Sequence, residues 1–339
     1  MYGRLQTREI AALVAILAFG CLLPYAAPEY FVYLGNSLMM YAILALGLDL
    51  LLGWSGQFAF AHIAFFGVGI YGTAILQQRY GLPFLVSMPI SAAAAGMLGW
   101  LIAWPSTRLR SVYLALATYA FAECAQWVFR TWDSVTKGSD GLRISPTAIF
   151  GYVINSDQRA FPVVAILLCL VVLSLQYLTK SKLGRHLCAI RDSEHVAAAS
   201  GIDVRQVKIT AFTLSAVYAG IAGGVYVLFQ SFVNPDVLGA SQLVLVLTMV
   251  VVGGSGSLIG VTLGVVVVGL LPEVLRLAPS TLLVWQEFVY GLILVLVVMF
   301  MPRGLWGVMN KWFAPKPAMA LNASTKTDGD TVDAQEVGR

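Results

Sequence analysis

Again and again along this chain, stretches of about 20 residues run without a charge, the length a helix needs to cross ~30 Å of hydrocarbon. In lipid each backbone N–H and C=O must be satisfied inside its own segment, so such stretches fold as helices. Ten candidate spans follow: 10–27, 31–52, 58–76, 83–104, 111–130, 161–178, 208–230, 240–253, 257–272 and 283–301. The eighth and ninth are short and read either as one broken helix or as two half-spans. The expected fold is therefore all-α, a polytopic transmembrane helical bundle of about ten spans. Composition agrees: 11% of the 339 residues are charged, against roughly 25% in soluble domains. The first span follows Arg4 and Arg8 in the manner of a signal peptide, but its cleavage pattern is poor and it reads as a retained helix.

Basic residues set the orientation. Arg4 and Arg8, then Arg108 and Arg110, then Lys180, Lys182, Arg185, Arg191, Arg205 and Lys208, and last Arg303 and Lys311 all fall on one side of a ten-span bundle. The positive-inside rule makes that side cytoplasmic and places both termini there. The net charge of +4 is thus an orientation signal, with no nucleic-acid partner implied. The polar segment 131–160, with "TKGSDG" and Pro146, becomes an external loop. The transmembrane domain covers 1–313, and the polar, aperiodic 314–339 reads as a disordered cytoplasmic tail. In such a tail the triplet Asn322-Ala323-Ser324 is a chance match to a glycosylation acceptor. Cys21, Cys124, Cys169 and Cys188 form no C-x-x-C pair and read as free thiols. His62, His186 and His195 lack metal-ligand spacing.

The charged interruption "GRHLCAIRDSEHVAAASGIDVRQVKITAF", Gly184 to Phe212, has more local order than a linker. Leu187 and Ile190 share one face of a short helix beginning near Arg185. Asp192 or Ser193 can cap a second helix, with Glu194 in its first turn. Gly201 stops that helix, and Ile202 is placed for a Schellman contact. Asp203 opens the next helix with Gln206 three residues on, as in a capping box. Two readings of this elbow, 180–207, stand side by side: a solvated loop, or a docking element for a cytoplasmic partner. The docking candidates are Arg185, Arg191, Asp192, Glu194, Ala197, Ala198 and Gly201.

Polar groups inside spans are costly and draw functional hypotheses. Asp49 lies in the second span, and Gly53-Trp54-Ser55-Gly56-Gln57 follows with no charge to hold it in water. Either the break is a surface turn, or it is recessed, with a helix starting near Gln57 whose positive end receives a substrate carboxylate. His62 reads as a packed interior group or as a lining of the path. Glu123 and Gln126 share a face of the fifth span and read as path lining or as structural partners of each other or of His62. The possible path is thus Asp49, Ser55, Gln57, His62, Glu123 and Gln126, while Glu287 is interfacial. Gly220 with Gly224, and Gly256 with Gly260 and Gly264, repeat the small-residue spacing that lets helices pack closely in lipid, within the chain or at a subunit seam.

Six segments carry a resemblance: "LGLDLLLGWSGQFAFAHIAFFGVGIY", "VYLALATYAFAE", "GSDGL", the elbow through "SAVYAGIAGG", "VVGGSGSLIGVTLG" and "RGLWG". In this order they resemble the bacterial ABC-importer permeases for branched-chain amino acids, of the LivM type. The chain departs from that pattern at Asp49, where asparagine is more usual. The resemblance implies an ABC-importer permease fold in the bacterial inner membrane and makes the elbow the segment that couples to a separate ATPase. Implied partners are a second related permease chain, two ATP-binding subunits, a periplasmic substrate-binding protein and a small amino-acid substrate. No G-x-x-x-x-G-K-[ST] occurs, so no cofactor is expected on this chain and ATP belongs to the partner subunits. Competing readings are a permease of the same architecture for urea or short amides, and a stand-alone secondary transporter or channel. An enzyme is disfavoured by the absence of H-E-x-x-H and of a nucleophile elbow.

Overall fold

The computed structural model describes residues 28–109, 111–149, 152–276, 286–301 and 304–307. The expected first span 10–27, Cys21, Arg110, Arg303, Lys311, the tail 314–339 and the side chain of Glu287 lie outside the described residues. Helices dominate: α1 (Glu29–Asp49), α2 (His62–Tyr80), α3 (Phe84–Ser106), α4 (Ser111–Thr131), α5 (Asp133–Thr136) and α6 (Asp157–Lys180) come first. They are followed by α7 (Lys182–Asp192), α8 (Glu194–Ala199), α9 (Val204–Phe229), α10 (Ala240–Gly253), α11 (Leu258–Gly269), α12 (Leu271–Arg276) and α13 (Gln286–Phe300). Each of the nine expected spans after the first has its helix. Five described helical segments are long and apolar enough to cross a membrane: α1 with its extension to Trp54, α3, α4, α6 and α9. The chain is a multi-pass membrane protein.

Proline and glycine set the boundaries. Pro28 and Pro83 precede α1 and α3, where a missing N–H costs nothing. Gly81, at φ +64°, ends α2 in the left-handed conformation that glycine adopts without strain.

Two helices form the centre. In the apolar windows of α1 and α9, 67% and 72% of residues are buried, against 17% in α4 and 28% in α6. Around α9 pack α2 and α3, and around α1 pack α6, α10 and α11. Along the middle of α3 the small residues turn inward. On α3 the inward residues include Ser91, Ala92, Ala95, Gly96 and Gly99, while Met97, Trp100, Leu101 and Trp104 face out. Lipid is as apolar as leucine, so nothing draws large side chains inward, and close backbone approach decides the contact.

Helices α10 and α11 settle the question of the short spans. They are 14 and 12 residues long, about 21 and 18 Å, and fold back on each other as an antiparallel hairpin through the turn 254–257. The described residues of 131–160 take part in two small antiparallel pairs. Strand β1 (Leu142–Arg143) joins β4 (Phe232–Val233) beyond the end of α9, and β2 (Thr147–Ile149) joins β3 (Tyr152–Ile154). These strands lie at the far ends of α6 and α9 from the short helices α7 and α8, which defines an elbow end and a loop end.

Candidate functional site: the elbow and the junction beneath it

The elbow is two capped helices set between α6 and α9. Ser181 accepts from Leu183 N (3.1 Å) and starts α7 three residues before the expected Arg185. Ser193, of the two candidate caps, accepts from Val196 N (3.4 Å) and starts α8. Gly201 stands at φ +80°, and Ile202 N donates to Ala197 O (3.1 Å), the long bond of a Schellman cap. Asp203 Oδ1 accepts from Gln206 N (3.0 Å) and opens α9. Each bend is thus fixed by a local bond, and the elbow has a defined shape.

That shape sorts the seven docking candidates. Arg185, Asp192, Ala198 and Gly201 are exposed, and Val196 beside them is 65% exposed. Ala197 is not available to a partner: at 2% exposure it packs into the elbow, so the small outward patch is Ala198 and Ala199. Glu194 pairs within the chain, its carboxylate meeting Lys208 Nζ on α9 at 2.5 Å, while 56% of its side chain stays exposed. Arg191 also turns inward. Its Nη1 donates to Gly53 O at 2.7 Å, with 43% of the side chain still exposed.

Gly53 belongs to a π-helical turn, Leu50–Trp54, that extends α1 toward the elbow. A π turn inserts a residue into the ladder and is frequent at functional sites. At its start Asp49, wholly buried, accepts from Gly256 N at 2.8 Å through Oδ1. Gly256 is in the turn before α11 at φ +83°, and so is not the first member of a helical glycine row as its spacing suggested. Asp49, Gly53, Arg191 and Gly256 therefore meet at one junction. Sequence separations of 138 and 207 residues hid it.

The break after the junction differs from expectation in one respect. No helix starts at Gln57. Its N–H donates to Leu51 O (2.9 Å) and its Nε2 to Ser55 Oγ (2.9 Å), so Gln57 closes the π turn, and α2 begins five residues later at His62. Ser55 is likewise tied back, donating to Leu51 O. The backbone of 55–61 then runs inward, where Phe60 N donates to Thr118 Oγ1 on α4 at 2.9 Å. Thr118 is seven residues into α4, about 10 Å from its elbow end. Within the break, protein contacts take up the side chains of Ser55 and Gln57 and the backbone N–H groups of Gln57 and Phe60.

His62 is 1% exposed and held on both ring nitrogens. Nε2 donates to Leu44 O at 2.9 Å, and Nδ1 accepts from Ser215 Oγ at 3.1 Å. That pattern fixes one neutral tautomer and ties α1, α2 and α9 together. Glu123 is not its partner: it is exposed on α4, one turn from Tyr119. Gln126 faces elsewhere and donates to Pro235 O at 3.2 Å. The candidate path residues thus divide into a buried group under the elbow and an outward pair on α4.

The helical glycines of the two rows, Gly220, Gly224, Gly260 and Gly264, each meet atoms of this chain. A Cβ on Gly220 would lie 2.8 Å from Ala92 Cα of α3, and one on Gly224 would strike Met88. Gly260 and Gly264 let α11 close on α10, and Trp306 of "RGLWG" stands over Gly260.

Comparison with known proteins supplies the family. The sequence model described as "Branched-chain amino acid transport system / permease component" matches residues 30–298. The high-affinity branched-chain amino acid transport system permease protein LivM of Escherichia coli strain K12 is 31% identical over 86% of this chain and 74% of its own length. LivH, a permease protein of the corresponding system in Salmonella typhimurium, is 25% identical over 79% of this chain and 91% of its own. The autoinducer 2 import system permease protein LsrD of an Escherichia coli strain is 30% identical over 57% of this chain and 59% of its own. No solved structure matches. The matched family spans the central helices, the π turn, the elbow and the α10–α11 hairpin alike, and this chain belongs to the permease family of the branched-chain amino acid transport systems.

Proposed function

We propose that this chain is one of two permease subunits in an ATP-driven importer of the bacterial inner membrane, with its elbow in the cytoplasm and seated on a separate ATPase subunit. The carrying observation is the elbow itself: two capped helices between membrane-spanning α6 and α9, with Val196 and Ala198 turned to solvent. A stand-alone carrier has no use for an ordered surface of this kind. ATP hydrolysis falls to two partner chains, since this chain has no phosphate-cradling motif. A periplasmic binding protein delivers the solute at the loop end. The second permease covers the outward face of α4, where Glu123 is exposed near the middle of a span, since a carboxylate there needs water or a protein partner.

The proposed solute is a branched-chain or other hydrophobic amino acid, in line with the LivM and LivH relatives. LsrD, named for autoinducer 2 import, shows that related chains serve other solutes, so urea and short amides belong in the uptake panel. The test is ATP-dependent uptake in proteoliposomes containing this chain, its partner permease, the ATPases and the binding protein. Uphill uptake by this chain without any ATPase would sink the reading. Ala198→Trp adds bulk at the exposed face, where overpacking costs ~1–3 kcal/mol and lowers ATPase affinity about 5- to 150-fold. Full ATPase association in that variant would make the elbow a solvated loop.

A further inference from the structure

The inward face of the elbow carries a connection that docking alone does not require. We propose that Arg191 is a positioning residue that latches the elbow to the π turn of α1, and through Asp49 to the α10–α11 hairpin, so that the three move together. The proposal rests on the importer reading above and assigns the route by which the elbow acts on the spans.

Three glycines make room for the latch. A Cβ on Gly56, itself at φ +69°, would stand 3.1 Å from Arg191 Cγ. One on Gly256, at φ +83°, would stand 3.2 Å from Nη1. Gly53 supplies the acceptor, and its carbonyl takes the arginine N–H at 2.7 Å. Carbonyls in the last turn of a helix have no donor ahead of them, and a side chain from another element takes that place here. The same turn is held from its other side by the hairpin, because Asp49 accepts from Gly256 N at 2.8 Å. Elbow, π turn and hairpin thus share one small group of hydrogen bonds.

The junction is also incompletely satisfied. Asp49 Oδ2 and Trp54 Nε1, an acceptor and a donor at the two ends of the π turn, are buried and face each other without closing to a full hydrogen bond.

The test uses the complete importer in proteoliposomes and compares Arg191→Ala, Arg191→Lys and Ala198→Trp. Both Arg191 variants are expected to retain the ATPase chains and hydrolyse ATP, with uptake per ATP falling at least about tenfold, as loss of a charged hydrogen bond warrants. Ala198→Trp is expected to lose the ATPase chains instead. Unchanged uptake per ATP in Arg191→Ala overturns the latch. Loss of the ATPase chains in that variant also overturns it, by making Arg191 a docking residue. A second measurement needs no partner: hydrogen exchange of the purified chain. Arg191→Ala should speed exchange at the Gly256 and Gln57 amides about tenfold and leave central α9 unchanged. Parental exchange at both amides refutes the latch. If the wild-type chain recruits no ATPase while the amides still respond, the importer reading falls and the latch stands.

Discussion

Two buried polar knots tie α1 to its neighbours, and they are built differently. At His62 both ring nitrogens are engaged, the ring is 1% exposed, and α1, α2 and α9 meet in regular helical geometry. At Asp49 one carboxylate oxygen is engaged and the other faces Trp54 Nε1 without closing to a full hydrogen bond, the helix is wound as a π turn, and the contacting turns hold Gly56 and Gly256 at positive φ. The first knot is closed and fixes relative position. The second has slack, and it lies where the elbow touches the bundle. A membrane bundle that must both hold together and move needs each kind, and here they sit on one helix at different depths.

The sharpest way to break this contrast is His62→Ala. It removes the bonds His62 makes to Leu44 O and Ser215 Oγ and opens a cavity in the core, so a stability loss of about 3 kcal/mol is expected. Thermal unfolding in detergent and membrane abundance read it, and Asp49→Asn, which keeps the Oδ1 acceptor, should shift both far less. Equal losses in the two variants would erase the distinction between a closed and a slack knot.

Next in size is Gly256→Ala. The substitution puts a side chain at φ +83° against Arg191, with an expected cost of about 1–2 kcal/mol. Its mark should be a loss of uptake larger than the loss of abundance. A fall in abundance alone would make the 254–257 turn purely structural.

Gly201→Val follows. No atom lies within 4 Å of an added Cβ there, so the cost of about 1 kcal/mol is conformational, from the left-handed cap at φ +80°. ATPase co-purification should weaken because the bend into α9 is re-aimed. Retained association would show that the direction of the bend is unimportant.

The smallest stability effect is expected for Glu123→Gln. Its side chain is exposed and bears on no buried network, so unfolding should shift by less than about 0.5 kcal/mol. Transport should nevertheless fall if the outward face of α4 borders the path beneath the second permease. Normal uptake at normal abundance removes Glu123 from the mechanism.

The sequence determined what is local or repetitive. Apolar stretches of membrane-spanning length required helices, because lipid offers the backbone no other hydrogen bonds. Ser193, Gly201 and Asp203 act within a few residues of themselves, so the capped shape of the elbow was legible before any contact was known. The direction in which each residue faces was not. Inside a membrane the lipid side and the protein side are both apolar, so pattern alone did not show that Glu123 faces away from His62, and in the elbow a run of three alanines offers no apolar periodicity to tell inward Ala197 from outward Ala198. Nor could spacing join Arg191 to Gly53 or Asp49 to Gly256, since helix periodicity says nothing about which helices become neighbours. Tertiary packing made those choices through shape, with small residues admitting close backbones, and so decided where the elbow takes hold of the bundle.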